Sequence, residues 1–289
     1  MQLQETSKAW GQTPNITVPP DTAVPVMPLT KEAIVIRLLL LVLTLTTLYA
    51  LQTIDYQSID LAQAFSDTLS NLQIIFLQPS GGSHLSFSKA LYEVAITLGL
   101  AFLTTLFGSI IALFLGLLGA QNLAPRPVTI IVKAFVALIR AIPTILWVLI
   151  FAVAAGLGSA AAVVGMTFHT VSYLTKAYSE AFEDVDRGVI EALTASGANW
   201  WQIVFQAVIP SSFTYLLSWT FMRFEINFAT AVAMGAAAGA SGVGFDLFMA
   251  SGFYFDLREV GLITYIILAF AMILETIATR MKSQIKDIH

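Results

Sequence analysis

The chain contains no cysteine. Disulfides, thiolate catalysis and cysteine-based metal sites are therefore excluded. Histidine is nearly as scarce: His84, His169 and His289 are far apart and form no metal or acid–base cluster in the sequence. Charge is scarce too. Only 11% of the 289 residues are charged, 57% are hydrophobic, and mean hydropathy is +0.80. Soluble domains carry about 25% charged residues, so this is the composition of an integral membrane protein. The net charge of −4 provides no basic surface for nucleic acid. No GxxxxGK[ST] phosphate loop is present, so if ATP drives this protein another chain must hydrolyse it. The basic start of a secretory signal is also missing. Instead, a polar stretch with Pro14, Pro19, Pro20, Pro25 and Pro28 precedes the first apolar run, and residues 1–30 are expected to form a flexible tail.

What is abundant is apolar sequence in blocks of membrane-spanning length. A spanning helix needs about 20 apolar residues. Residues 33–52, 90–118, 130–155, 160–179, 208–236 and 260–281 qualify, which predicts an all-α, polytopic helix bundle of six spans. Between the first two spans, Leu61, Phe65, Leu69, Leu72 and Phe76 recur at steps of three and four. That spacing predicts an amphipathic helix from Asp60 to Leu77 on the membrane surface, ended by Pro79-Ser80-Gly81-Gly82. Lys8, Lys31, Arg126, Lys133, Lys176, Arg187, Arg280, Lys282 and Lys286 fall on one side of this topology, against Lys89 and Arg258 on the other. The excess marks the cytoplasmic side and places both termini and the loop near 180–207 there.

That loop is the most structured polar segment of the chain. Glu183, Asp184 and Asp186 suit a helix N-terminus. A short helix is expected from Val185 to Ser196, with Gly197 as a left-handed cap. Asn199 and Gln202 have the spacing of a capping box for a second helix. Trp200 and Trp201 are expected to anchor that helix at the interface, and Pro210 to kink or start the next span.

The same stretch reads Glu191-Ala192-Leu193, three residues, Gly197, nine residues, Ala207-Val208-Ile209-Pro210. It resembles the EAA loop of permease subunits of bacterial ATP-binding-cassette (ABC) importers, which runs Glu-Ala-Ala, three residues, Gly, nine residues, Ile-x-Leu-Pro. Glu191, Ala192, Gly197 and Pro210 are identities; Leu193, Ala207 and Ile209 stay within an apolar or small class. The resemblance implies that the short helix is a cytoplasmic coupling helix seated in a groove of an ATPase subunit. Glu191, Ala192 and Leu193 would then serve coupling, Gly197 the turn, and Ile209 and Pro210 the join to the fifth span.

Polar groups inside spans are costly and face protein or a water-filled path. Arg140, His169, Arg223, Glu225 and Asn227 are such groups, and Glu93 lies near a helix end. Arg223 and Asn227, four apart, share a helix face. Glu225 faces elsewhere and is expected to need a partner on another helix, for which Arg140 is a candidate. Two readings stand side by side: these residues line a translocation path, or they lock the bundle with interhelical ion pairs.

Further stretches narrow the resemblance to the permeases of phosphonate- and phosphite-type importers. They are Ala120-Gln121-Asn122-Leu123-Ala124-Pro125, Arg140-Ala141-Ile142-Pro143, Val153-Ala154-Ala155-Gly156-Leu157-Gly158, His169-Thr170, Gly197-Ala198-Asn199, Arg223-Phe224-Glu225-Ile226-Asn227, and Gly235 through Gly244. The chain departs from that pattern at Thr144, where the family often has Glu, at Ala229, where it often has Arg, and at Ser241, where it has Gly. The resemblance implies a type I, MetI-like permease in the bacterial cytoplasmic membrane. Its expected partners are a second permease copy, two cytoplasmic ATPases that hold ATP and Mg2+, an extracytoplasmic binding protein and membrane lipid. It implies no cofactor in this chain and no catalysis by it. The expected organisation is a cytoplasmic tail over 1–30, a first span with an extracytoplasmic segment over 31–88, a core over 89–282 containing the loop 183–210, and a short cytoplasmic tail over 283–289. Gly235, Gly239, Gly242 and Gly244 are expected either at an outer gate or subunit contact, or in simple tight packing. The alternatives are an importer of another small anion or an amino acid, an ion-coupled secondary transporter, for which internal repeats are missing, and a membrane enzyme, for which clustered catalytic groups are missing.

Overall fold

A computed structural model describes residues 31–53, 60–81 and 84–286, with side chains as far as residue 280. The expected tail over 1–30, Gly82, His289 and the end of the tail 283–289 lie outside the described residues. Every described element is helical. The chain divides into two compact units, residues 1–64 and 65–289.

In the first unit, α1 (Lys31–Thr53) has no buried residue. It is apolar all round, as suits a helix whose solvent is lipid. Thr44, Thr46 and Thr47 each donate to the carbonyl four residues back, at 2.8 Å, which pairs their hydroxyls on that surface. The unit ends in the start of α2 (Leu61–Leu77), capped by Asp60, whose Oδ1 accepts from the N–H of Ala62 and Gln63.

The second unit begins within α2. Here Tyr265 donates its hydroxyl to the Phe76 carbonyl at 2.8 Å, and Gly261 lets the last helix approach the Ile75 backbone. Phe65, Leu69, Leu72 and Phe76 are exposed, as are Asp67 and Asn71 on the rest of the helix. Then follow α3 (Phe87–Gly119), α4 (Arg126–Ala141), α5 (Thr144–Ala155), α6 (Ser159–Glu183), α7 (Arg187–Ala195) and α8 (Trp200–Ile203). A π turn (Val204–Val208) leads into α9 (Ile209–Ala238). The remainder is α10 (Val243–Met249), a second π turn (Ala250–Tyr254) and α11 (Leu257–Lys286).

The sequence predicts one span over 130–155, but the structure has two helices, α4 and α5, meeting at 86°. The cause is Pro143. It lacks a backbone N–H and disfavours helical backbone in the residue before it, and Ile142 is extended at ψ 122°. With 16 and 12 residues, α4 and α5 are each too short to cross alone.

By length and composition, three described helices can cross a membrane, or up to five if each bent pair counts as one span. The expected sixth, α6, falls outside that number because its sequence is too polar. Its neighbours explain why it can be. α6 packs against α3, α4, α5 and α9, and most of its residues are buried. Gly108, Ala112 and Gly116 recur every fourth residue on α3 and admit α6 closely: a Cβ at Gly108 would stand 2.9 Å from Thr170 Cβ, and one at Gly116 2.9 Å from Tyr178 Cβ. On the other flank a Cβ at Gly165 would run into the Val148 backbone.

Candidate functional site: an elbow and a buried polar seam

The elbow is built by local chemistry. α6 ends at Glu183, and Asp186 caps α7 by accepting from the Gly188 N–H at 2.8 Å. After α7 the chain reverses at Gly197, φ +84°, a left-handed conformation natural to glycine. Gly197 donates to the Thr194 carbonyl and Ala198 to the Leu193 carbonyl, both at 3.0 Å, which satisfies two of the last carbonyls of α7. The predicted capping box is present: Gln202 donates its N–H to Asn199 Oδ1 at 2.9 Å, and Asn199 donates its own to Gln202 Oε1 at 2.7 Å. Pro210, which lacks a backbone N–H, follows directly on the π turn inside a helical run that begins at Trp200.

The elbow is tied to the bundle on one side only. Ile190, Leu193, Ala198 and Trp200 pack onto a core of Phe182, Val185, Val204 and Val208. Trp200 donates its indole N–H to the Leu123 carbonyl at 2.9 Å, so the predicted anchor is partly buried against protein, while Trp201 is exposed. The 120–124 turn is held in the same way. Asn122 donates to the Phe182 carbonyl at 2.7 Å, and Glu183 Oε1 accepts from the Gln121 N–H at 2.9 Å and from Lys133 Nζ at 3.1 Å. On the other side of α7, Val189, Glu191, Ala192 and Ala195 face outward. Leu193, grouped with Glu191 and Ala192 in the sequence pattern, is separated from them: it points into the core. Ile209 is half-buried and Pro210 exposed.

The second constellation lies deep in the bundle. Arg223 and Asn227 are buried on one face of α9, as their spacing predicts. Asn227 Nδ2 donates to Thr105 Oγ1 on α3 at 2.9 Å, and Asn227 Oδ1 accepts from Thr170 Oγ1 on α6 at 3.1 Å. Arg223 Nε donates to Thr170 Oγ1 at 3.3 Å, and the guanidinium lies 5.1 Å from the centre of the Tyr173 ring. The Nη groups of Arg223 make no hydrogen bond among the described residues. His169, next to Thr170, is half-buried, and its Nδ1 has no hydrogen-bond partner among the described residues. One polar seam thus joins α3, α6 and α9. Thr105, Thr170 and Tyr173 belong to it although the sequence argument assigned them no role.

Arg140 and Glu225 open into cavities of their own. Arg140 opens into a cavity of about 320 Å³ between α4 and α6, whose other charged walls are Lys133, Lys176, Glu180 and Glu183. Glu225 lines a different cavity of about 480 Å³, with α9 residues and Ala271 of α11. The expected pairing of Glu225 with Arg140 does not occur within the chain: neither residue makes an ion pair among the described residues. Glu225 is only two residues from Arg223, and that step turns it to a different side of α9.

The glycine run is mostly helix and turn. Gly239 ends α9 in the left-handed region, φ +60°. Gly235 of α9 and Gly244 of α10 are in contact: a Cβ at Gly235 would meet Gly244 and Phe245, and one at Gly244 would collide with the Val232 carbonyl. The turn between them is stapled to α3. Gly242 donates its N–H to Glu93 Oε2 at 3.1 Å, and Val243 donates to Thr97 Oγ1 at 3.0 Å. Glu93 therefore satisfies a turn that its position near a helix end did not suggest.

Comparison with known proteins agrees with this architecture. Residues 108–283, from the middle of α3 through α11, match the binding-protein-dependent transport system inner membrane component family. The chain is 29% identical over 211 residues to the phosphite transport system permease protein PtxC of Stutzerimonas stutzeri, covering 73% of this chain and 75% of that protein. It is 31% identical over 155 residues to the phosphate-import permease protein PhnE of Mycolicibacterium smegmatis, covering 53% of this chain but only 29% of that longer relative. Its fold is shared with a chain of the inward-facing MetNI methionine ABC transporter, at TM-score 0.60 and 22% identity, over 68% of this chain and 95% of that one. The structural likeness concerns the fold alone, a bundle with two bent helix pairs, and the family match extends over more than half of the sequence. The chain belongs to the binding-protein-dependent transport system inner membrane component family.

Proposed function

We propose that this chain is the membrane-spanning half of an ATP-driven importer for a small phosphorus oxyanion: a phosphonate, phosphite or phosphate. It works as a pair of identical permease subunits with two ATPases and an extracytoplasmic binding protein. The ATPases hold ATP and Mg2+ on the cytoplasmic side, where both termini and α7 also lie. The excess of Lys and Arg around the elbow end supports that orientation. The names of the permease relatives support the cargo class.

One observation carries the reading. α7 presents Val189, Glu191 and Ala192 outward while its other face is packed onto the bundle, and it is joined through the capping box to α9. A groove in an ATPase receives that outer face. Its movement passes to α9, whose middle carries Arg223 and Asn227. The Nη groups of Arg223 offer a favourable field and free donors for a passing oxyanion, with His169 beside it and Asn227 holding the helices around it. In this reading the turn at Gly239 to Gly242, stapled by Glu93, gates the outer end.

The direct test is Glu191→Arg in the complex with its ATPase. The expected outcome is insertion at the normal level, loss of co-purifying ATPase and loss of cargo uptake. Full uptake by this variant removes α7 as the docking element. A second cargo reading, an amino acid such as methionine, is favoured by the 26% identity to a probable D-methionine permease of Pasteurella multocida and by Ala229 in place of the family's arginine. Stimulation of ATP hydrolysis by methionine-loaded but not phosphite-loaded binding protein would establish it.

A further inference from the structure

Two charges of opposite sign stand in the bundle outside any ion pair among the described residues; the carboxylates that share the Arg140 cavity, Glu183 and Glu180, are paired with Lys133 and Lys176. Arg140, in the last turn of α4, is exposed, and Glu225 lines an open cavity walled mainly by small and apolar groups such as Ala229, Ala233 and Ala271. Neither makes an ion pair among the described residues. Such groups in spanning segments face protein or a water-filled cavity and pair with one another.

The two charges stand at one level of the bundle. Trp147 donates its indole N–H to the Ile139 carbonyl at 3.2 Å and stacks on Phe168 with ring centres 4.9 Å apart. The end of α4, which carries Arg140, is therefore one tryptophan away from Phe168 on α6. Two residues further along α6, Thr170 bonds Arg223 and Asn227, which bracket Glu225 on α9. The charges are level, but within one chain they open into separate cavities.

We propose that Glu225 pairs with Arg140 of the partner subunit across a two-fold axis that runs along the bundle. Such an axis preserves level. It also forms both pairs at once, because each copy offers one charge of each sign to the same interface. The open cavity beside Glu225, with Ala229, Ala233 and Ala271 in its walls, accommodates the stem and planar fork of an arginine, which matches a carboxylate two bonds at a time. The occupant of the Glu225 cavity is thus a second copy of this chain. The inference rests on the homodimeric reading of the permease.

The absence of cysteine allows a test without background labelling. Two differently tagged copies, one Arg140→Cys and the other Glu225→Cys, are co-expressed, and membranes are treated with a short bis-maleimide. The expected result is a covalent species carrying both tags. In parallel, Arg140→Glu and Glu225→Arg singly should each lower the dimer fraction of the purified chain at least tenfold, and the two together in one chain should restore it. Light scattering separates the possible failures. A chain of dimer mass that gives no doubly tagged product, or a charge swap that restores nothing, overturns the pairing and leaves the dimer standing. A chain of monomer mass overturns both.

Discussion

Replacing Gly197 isolates the stiffness of the elbow from everything else in the fold. The residue holds φ +84°, and a Cβ built there meets no atom within 4 Å. No packing changes, so the cost of a side chain is the backbone cost alone. For an ordinary L-residue in the left-handed region that is about 1–2 kcal/mol. Asparagine tolerates this region better than alanine, and a β-branched residue tolerates it worst. A loss of that size reduces the ratio of formed to unformed elbow roughly 5- to 30-fold. The variants Gly197→Asn, Gly197→Ala and Gly197→Val should all insert normally and keep the α3–α6–α9 bundle. Reconstituted with ATPase and binding protein, they should lose cargo moved per ATP hydrolysed in that order, with valine lowest. Wild-type coupling in the valine variant would refute the requirement for a stiff turn. Equal loss in the asparagine and valine variants would show that a side chain at 197 blocks docking, and that backbone strain is not the cause.

Arg223→Lys keeps the charge but loses the planar group that lies over Tyr173 and bonds Thr170. Cargo uptake should fall about tenfold, the size of one charge-assisted hydrogen bond at the lower end of its range, while ATPase assembly is unaffected; unchanged uptake would mean that charge alone suffices. Gly244→Ala places a methyl group against the Val232 carbonyl, and overpacking of this kind costs about 1–3 kcal/mol or more. The thermal midpoint of the detergent-solubilised protein should drop by several degrees. Gly99→Ala, at a helix position where a Cβ has nothing within 4 Å, is the matched control and should leave the midpoint unchanged or raised.

The elbow was legible because its signals are local. A left-handed turn needs glycine, a helix start needs Asn199 with Gln202 three residues on, and these requirements span neighbouring residues. Even so, the predicted helix from Val185 to Ser196 is longer than the observed α7, Arg187–Ala195, because Asp186 takes the capping position. The break at Pro143 was less legible. The apolar run over 130–155 continues across it, and hydropathy does not register a backbone turn; the readable signal was the proline itself and the extended conformation it imposes on Ile142.

The polar seam was half legible for a different reason. Arg223 and Asn227 are conspicuous in an apolar segment, but their partners Thr105 and Thr170 are ordinary hydroxyl residues 122 and 57 positions from Asn227. A threonine in a spanning helix bonds its own preceding turn whether or not it has a second partner, so nothing in the sequence marks the ones that do. α6 shows the same limit at the scale of a helix. Hydropathy reports what a helix offers to lipid, and α6 offers little, because protein covers most of it. α9 resolves what the sequence left as three separate marks. Pro210 at its start, Arg223 and Asn227 at its middle and Gly235 near its end belong to one 30-residue helix, roughly 45 Å long at 1.5 Å per residue. No proline or π turn interrupts it from Pro210 to Gly235, so the helix start, the buried arginine and the glycine crossing belong to one unbroken element, and the π turn at Val204–Val208 is the joint between that element and the elbow.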